Sequence, residues 1–135
     1  MRVPRRVRAD QGSLAVYVAV LAVPFLLIAG LVVDGGGALV AKQRAADEAG
    51  QAARTGANQI DLAQVRDNNI RVVDVALAQQ AVDQYFALAG NSPTHSTVAT
   101  PDKVTVTVTV TYAPKFLPFM KTSYSDTQTA LPVTK

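Results

Sequence analysis

The feature that most constrains this chain is a run of 21 residues, Ser13–Val33 (SLAVYVAVLAVPFLLIAGLVV), without a single charged side chain. As a helix rising about 1.5 Å per residue it would measure roughly 32 Å, close to the ~30 Å hydrocarbon thickness of a bilayer. Two other readings compete with a membrane span. A buried core helix would need an interior that surrounds it on every side, which a chain of 135 residues has little material to build. A cleavable secretory signal would start the same way, with Arg2, Arg5, Arg6 and Arg8 before an apolar stretch, but such stretches run about 7–15 residues and end at a small-x-small site. This one is longer and ends in Asp34-Gly35-Gly36-Gly37. A retained spanning helix over residues 13–33 is therefore expected. Pro24 should mark a kink, and Gly30 is tolerated because a span can re-satisfy freed backbone groups locally. Positive flanks stay cytoplasmic, so residues 1–12 are expected inside and residues 34–135 outside the cell membrane.

The formal charge of +3 gives little reason to expect a nucleic-acid partner. Four of the thirteen basic residues and one of the ten acidic residues precede Ser13, leaving nine of each in the rest of the chain. A nucleic-acid binder carries its excess on the folded face or on an arm joined to it, whereas this arm runs straight into the apolar segment. The absence of Cys and the presence of one His exclude disulfides, thiol redox chemistry and Cys/His metal sites. His95 lies in a Ser/Thr/Pro-rich stretch with no carboxylate near it in sequence and reads as a surface histidine. Asp34-Gly35-Gly36-Gly37 ahead of a helix lacks the Gly-Lys-Ser/Thr ending or the G-x-G-x-x-G order of a phosphate cradle, and there is no G-x-S-x-G turn. No catalytic, cofactor-binding or metal-ligating residue is expected, and neither is enzyme activity or a small-molecule substrate.

Beyond the glycines, residues 38–57 (ALVAKQRAADEAGQAARTGA) have high helix propensity apart from Gly50 and Gly56. Ala38, Ala41, Ala45, Ala49, Ala52 and Ala53 follow helical spacing and form a thin stripe of small side chains. Small residues bury little area but allow close approach of another backbone, so the stripe is expected either to pack on a partner helix or to belong to a solvated stalk. The glycines would ease the passage from lipid to water, with Asp34 at the positive end of the helix that follows. Asp67-Asn68-Asn69 predicts a turn. A second helix is expected over Val75–Ala89, capped by Asp74, ended by Gly90, and buried through Val75, Ala78, Val82, Tyr85, Phe86 and Ala89.

The C-terminal third changes period. Lys103–Tyr112 (KVTVTVTVTY) alternates valine and threonine, the pattern of a strand with one face buried. His95–Thr100 before the Pro101-Asp102 turn and Thr122–Leu131 are expected to flank it. The resulting fold is α+β: an N-terminal transmembrane helix continuing into an Ala-rich helix, then a second helix packed on a small antiparallel meander. The expected division is a basic segment 1–12, a span 13–33, an Ala-rich helix 34–57 and a small domain 58–135. The apolar link Phe116-Leu117-Pro118-Phe119-Met120 is expected in the core rather than as an exposed contact with the membrane or a partner.

Several of these residues resemble the Flp pilus-assembly TadE/TadG-like proteins. The resemblance rests on Asp10-Gln11-Gly12-Ser13 before the span, Pro24 within it, Asp34-Gly35-Gly36 at its exit, and Gln43-Arg44-Ala45-Ala46-Asp47 in the helix that follows. It is specific over about residues 10–53 and only architectural beyond. It implies a membrane-anchored, pseudopilin-like component of a tight-adherence (type IVc) pilus or related secretion apparatus, of the kind found in high-GC Gram-positive bacteria. Partners would be other pilus subunits, met through the Ala-rich helix. The alternative is a general membrane-tethered interaction domain. Gly12-Ser13 fits a prepilin-type processing point. In resembling prepilins, however, a Glu follows that Gly by five residues, and here the position is Tyr17. The departure implies an uncut, permanent membrane subunit.

Overall fold

The computed structural model describes residues 10–90, 93–116 and 121–133, with side chains from Leu14 onward. The arginine flank Arg2–Arg8 and the Leu117–Met120 part of the apolar link lie outside the described residues, as do the side chains of Asp10, Gly12 and Ser13.

One helix, α1 (Asp10–Ala57), accounts for 48 residues and runs without interruption through Pro24 and through Asp34-Gly35-Gly36-Gly37. At about 1.5 Å per residue it is roughly 72 Å long, far longer than a small domain is wide. Its N-terminal half is long and apolar enough to cross a membrane. The most apolar 18-residue window has a mean hydropathy of 2.8, and only 6% of it is buried against the rest of the chain. That exposure excludes the reading as a soluble core helix, whose apolar side chains would be covered.

The C-terminal half of α1 enters the core. Ala45, Ala49, Ala52, Ala53 and Ala57 are at most 1% exposed and pack with Ala78, Val82 and Phe86 and with Val104, Val106 and Val108. The predicted alanine stripe is therefore present at its predicted spacing, and its neighbours are the chain's own sheet and its helix at Val75–Leu88. Residues of 34–57 and of 58–135 share this one core. Small side chains let the valine-bearing strand approach the helix closely. At Gly56 a Cβ would lie 3.0 Å from both Val104 Cγ1 and Val82 Cγ2. The large buried side chains Phe86, Val82, Val104, Val106 and Val108 carry most of the stabilisation, about 1.5–3 kcal/mol each on full burial.

A short helix, α2 (Leu62–Asn68), occupies the segment read as a turn. Asp61 caps its start by accepting from the N–H groups of Ala63 and Gln64, and Asn69 ends it in the left-handed conformation at φ 53°. The Asp-Asn-Asn cluster is thus a helix C-terminus, where Asn is tolerated at positive φ. Helix α3 (Val75–Leu88) follows, capped by Asp74 as predicted, with Ala78, Val82 and Phe86 buried. Gly90 then adopts a positive φ of 68°. Tyr85 is half-buried and Ala89 exposed, so the buried face is narrower than its periodicity suggested.

Strands β1 (Thr94–Thr100), β2 (Lys103–Tyr112) and β3 (Thr122–Ala130) form an antiparallel meander in that order. Val104, Val106 and Val108 face inward, mainly onto α1. The threonines of β2 face out and pair across to β3 through their hydroxyls, Thr105 with Thr129 at 3.0 Å and Thr107 with Thr127 at 2.8 Å. Phe116 is 60% exposed, so it does not belong to the core as expected.

Candidate functional site

β2 ends at Tyr112 and the chain leaves the sheet ladder, so the amides of Lys115 and Phe116 need acceptors elsewhere. They find one in Asp34, which lies mid-helix on α1 and is only 6% exposed. The Lys115 N–H donates to Asp34 Oδ1 at 2.8 Å, and the Phe116 N–H donates to Oδ1 at 3.3 Å and to Oδ2 at 3.1 Å. Amides bonded to a carboxylate make stronger hydrogen bonds than neutral pairs, which offsets much of the cost of burying the charge. Asp34 does not sit at the positive end of a new helix as expected, because no helix starts there. It fastens a segment more than 80 residues away.

Two glycines complete the contact. A methyl group on Gly37 would collide with the hydroxyl and ring of Tyr112, and one on Gly30 would lie 3.1 Å from Phe116 Cβ and Cγ. Gly30, Asp34 and Gly37 are spaced four and three apart, so they share one face of α1. The descending segment Tyr112–Phe116 runs antiparallel along that face, with Tyr112 over Gly37 and Phe116 over Gly30. The same face continues through Ala41, Ala45, Ala49 and Ala52, so one stripe holds the connection at one end and the sheet at the other. Sequence reasoning found the alanines and missed their extension. Gly37, Asp34 and Gly30, four, seven and eleven residues before Ala41, were the available signal.

The other resemblance-derived residues divide clearly. Gly35 and Gly36 have nothing within 4 Å of a would-be Cβ. Gln43 donates to Asp47 at 3.1 Å on the exposed side of α1, beside an Arg44–Glu48 ion pair at 2.6 Å. Ala46 and Asp47, with Gly50, Gln51, Arg54 and Gln128, line a shallow cavity of about 260 Å³ between α1 and β3. Pro24 stands within the apolar half of α1, as does Tyr17, which is 68% exposed. Asp10 and Gly12 lie in the first turns of α1, and Ser13 follows them.

His95 corrects a further expectation. It is half-buried, stacks on Phe86 with ring centroids 4.1 Å apart, and lies 3.3 Å from Asp83 Oδ1 across from β1 to α3. It clamps strand to helix instead of standing free on the surface. Among the described residues no group of three or more His, Asp or Glu side chains is placed to hold a metal ion.

Comparison with known proteins adds one match. Residues 12–59 match the model of the Flp pilus-assembly TadE/G-like family. The matched stretch coincides with α1 and contains the Gly30/Asp34/Gly37 face entire. No curated protein and no solved structure matches the chain.

Proposed function

We propose, taking the match of α1 to the Flp pilus-assembly family as premise, that this chain is a membrane-anchored structural subunit of a Tad-type pilus or related secretion apparatus. The observation that carries the reading is the double use of α1. Its first half is apolar and uncovered, while its second half is the central helix of a folded domain. A subunit built this way holds its domain rigidly on the anchor, since no linker separates them. The arginine flank puts the N-terminus in the cytoplasm and the domain outside. The protein performs no catalysis in this role. Its work is assembly.

The core-facing stripe of α1 is already occupied, so contacts with other subunits fall on the opposite side of the helix. Gly36, Gln43, Asp47 and Arg54 recur there at helical spacing and are exposed. Gln43 donates to Asp47 along this side of the helix. The decisive experiment is affinity recovery of the full-length chain from its native membranes, followed by identification of what comes with it. Pilins, the assembly ATPase or platform subunits are expected, and their loss on Gln43→Leu/Asp47→Leu would locate the contact. Recovery of the intact chain without any pilus or secretion subunit would contradict the assignment.

A further inference from the structure

We infer that the segment Tyr112–Phe116 is a second membrane contact, with the Phe116 ring seated beneath the lipid headgroups and Lys115 at the level of their phosphates. The inference rests on the reading of α1 as a membrane span and adds a partner surface to it. Asp34 is the first charged residue after the apolar run, so it marks the outer edge of the hydrocarbon. Gly30 is one turn nearer the membrane, about 6 Å along the helix axis. Phe116 packs on Gly30, yet the residue is 60% exposed. A large aromatic side chain held at that depth with one side bare is covered by lipid when α1 spans a bilayer. Its depth is fixed by the two amide bonds to Asp34, which tie the chain at residues 115 and 116 to the helix.

The neighbouring side chains fit the same placement. Tyr112, over Gly37, lies just outside Asp34, where amphipathic rings favour the membrane interface. Lys115 follows Pro114 with its side chain exposed. A cavity of about 430 Å³ opens beside it, with Val33 and Val40 on its apolar side and Arg44 and Lys115 as its cations. Arg44 is paired with Glu48 at 2.6 Å, one turn farther from the membrane, so the phosphate contact falls to Lys115. Lys115 above an apolar wall complements the phosphate and upper acyl chain of an anionic phospholipid of the outer leaflet.

The chain has no Trp and no Cys, so single probes report unambiguously. Full-length protein carrying Phe116→Trp, Leu27→Trp or Val98→Trp is reconstituted into phosphatidylcholine/phosphatidylglycerol vesicles, with and without lipids brominated near the headgroup end of the acyl chain. Phe116→Trp should emit to the blue of Val98→Trp, which lies on the outer sheet face, and be quenched by the brominated lipid. Lys115→Cys bearing a polarity-sensitive dye should report the polarity of the headgroup region, and a water-like signal there would count against the placement. Water-like emission and no quenching at Phe116→Trp, with Leu27→Trp quenched, would overturn the inference and leave the span intact. Absence of quenching at Leu27→Trp would overturn the span and the inference together.

Discussion

Replacing Asp34 by alanine should release Lys115 and Phe116 from α1 while leaving the folded domain whole. The carboxylate accepts from two backbone N–H groups, and a hydrogen bond to a charged group contributes about 1.5–3 kcal/mol. Once the segment swings away, its amides regain water, so the net effect falls toward the lower part of that sum. An opening penalty of about 2–4 kcal/mol, or about 30- to 700-fold in the equilibrium, is expected. The core is spared because its buried stripe on α1 begins at Ala41 and the nearest large side chains are those of β2. Alanine is also a better helix former than aspartate, so α1 stays continuous. Amide hydrogen exchange in detergent reads the effect residue by residue. Lys115 and Phe116 should exchange faster by that factor in Asp34→Ala, with Val106 unchanged. Asp34→Asn should fall between, since one oxygen remains while an amide donor replaces the other. Unaltered exchange at Lys115 and Phe116 in the alanine variant would refute the reasoning.

Three further outcomes follow from the same geometry. Gly35→Ala fills open space and should raise stability by about 0.8–1.0 kcal/mol through helix propensity, whereas Gly37→Ala should lower it by about 1–3 kcal/mol through collision with Tyr112; thermal unfolding in detergent separates the signs, and Tyr112→Leu should abolish the difference. Ala45→Leu overfills a site that is 0% exposed and should cost about 1–3 kcal/mol, while Lys42→Leu should leave the melting temperature of the domain nearly unchanged; equal effects would mean the stripe is not core. Tyr17 stands where resembling prepilins carry a carboxylate, so mass spectrometry of membrane-purified protein should recover peptides that bridge Gly12 and Ser13 intact, and a mature N-terminus at Ser13 would instead make the chain a processed pilin.

What the sequence revealed depended on the range of the interactions involved. Strand β2 was legible because Val/Thr alternation is itself the burial pattern, and α3 because Asp74 and Gly90 act within a few residues of themselves. The apolar half of α1 was legible from length and charge alone. The passage at Asp34–Gly37 was misread because four such residues locally favour a break, while the contacts that occupy this face, from Tyr112 to Phe116, come from more than 70 residues away in sequence. The alanine stripe was read with the right period and the wrong neighbour. Periodicity tells which side of a helix is covered, and it does not tell whether the cover comes from the same chain. Helix α2 was hidden by its shortness, since an Asp cap and an Asn in the left-handed region serve turns equally well. Phe116 was assigned to the core on apolarity alone, which cannot distinguish burial in protein from burial in lipid.

The central claim is that a single helix both crosses the membrane and forms the core of an external domain. A lone cysteine tests it directly, because the chain has none of its own. Val98→Cys sits 62% exposed on the outer sheet face, and Val3→Cys lies before the span. On intact cells with the wall removed, a membrane-impermeant maleimide should label Val98→Cys without permeabilisation and reach Val3→Cys only after it. Labelling of Val98→Cys only after the membrane is opened would contradict the account.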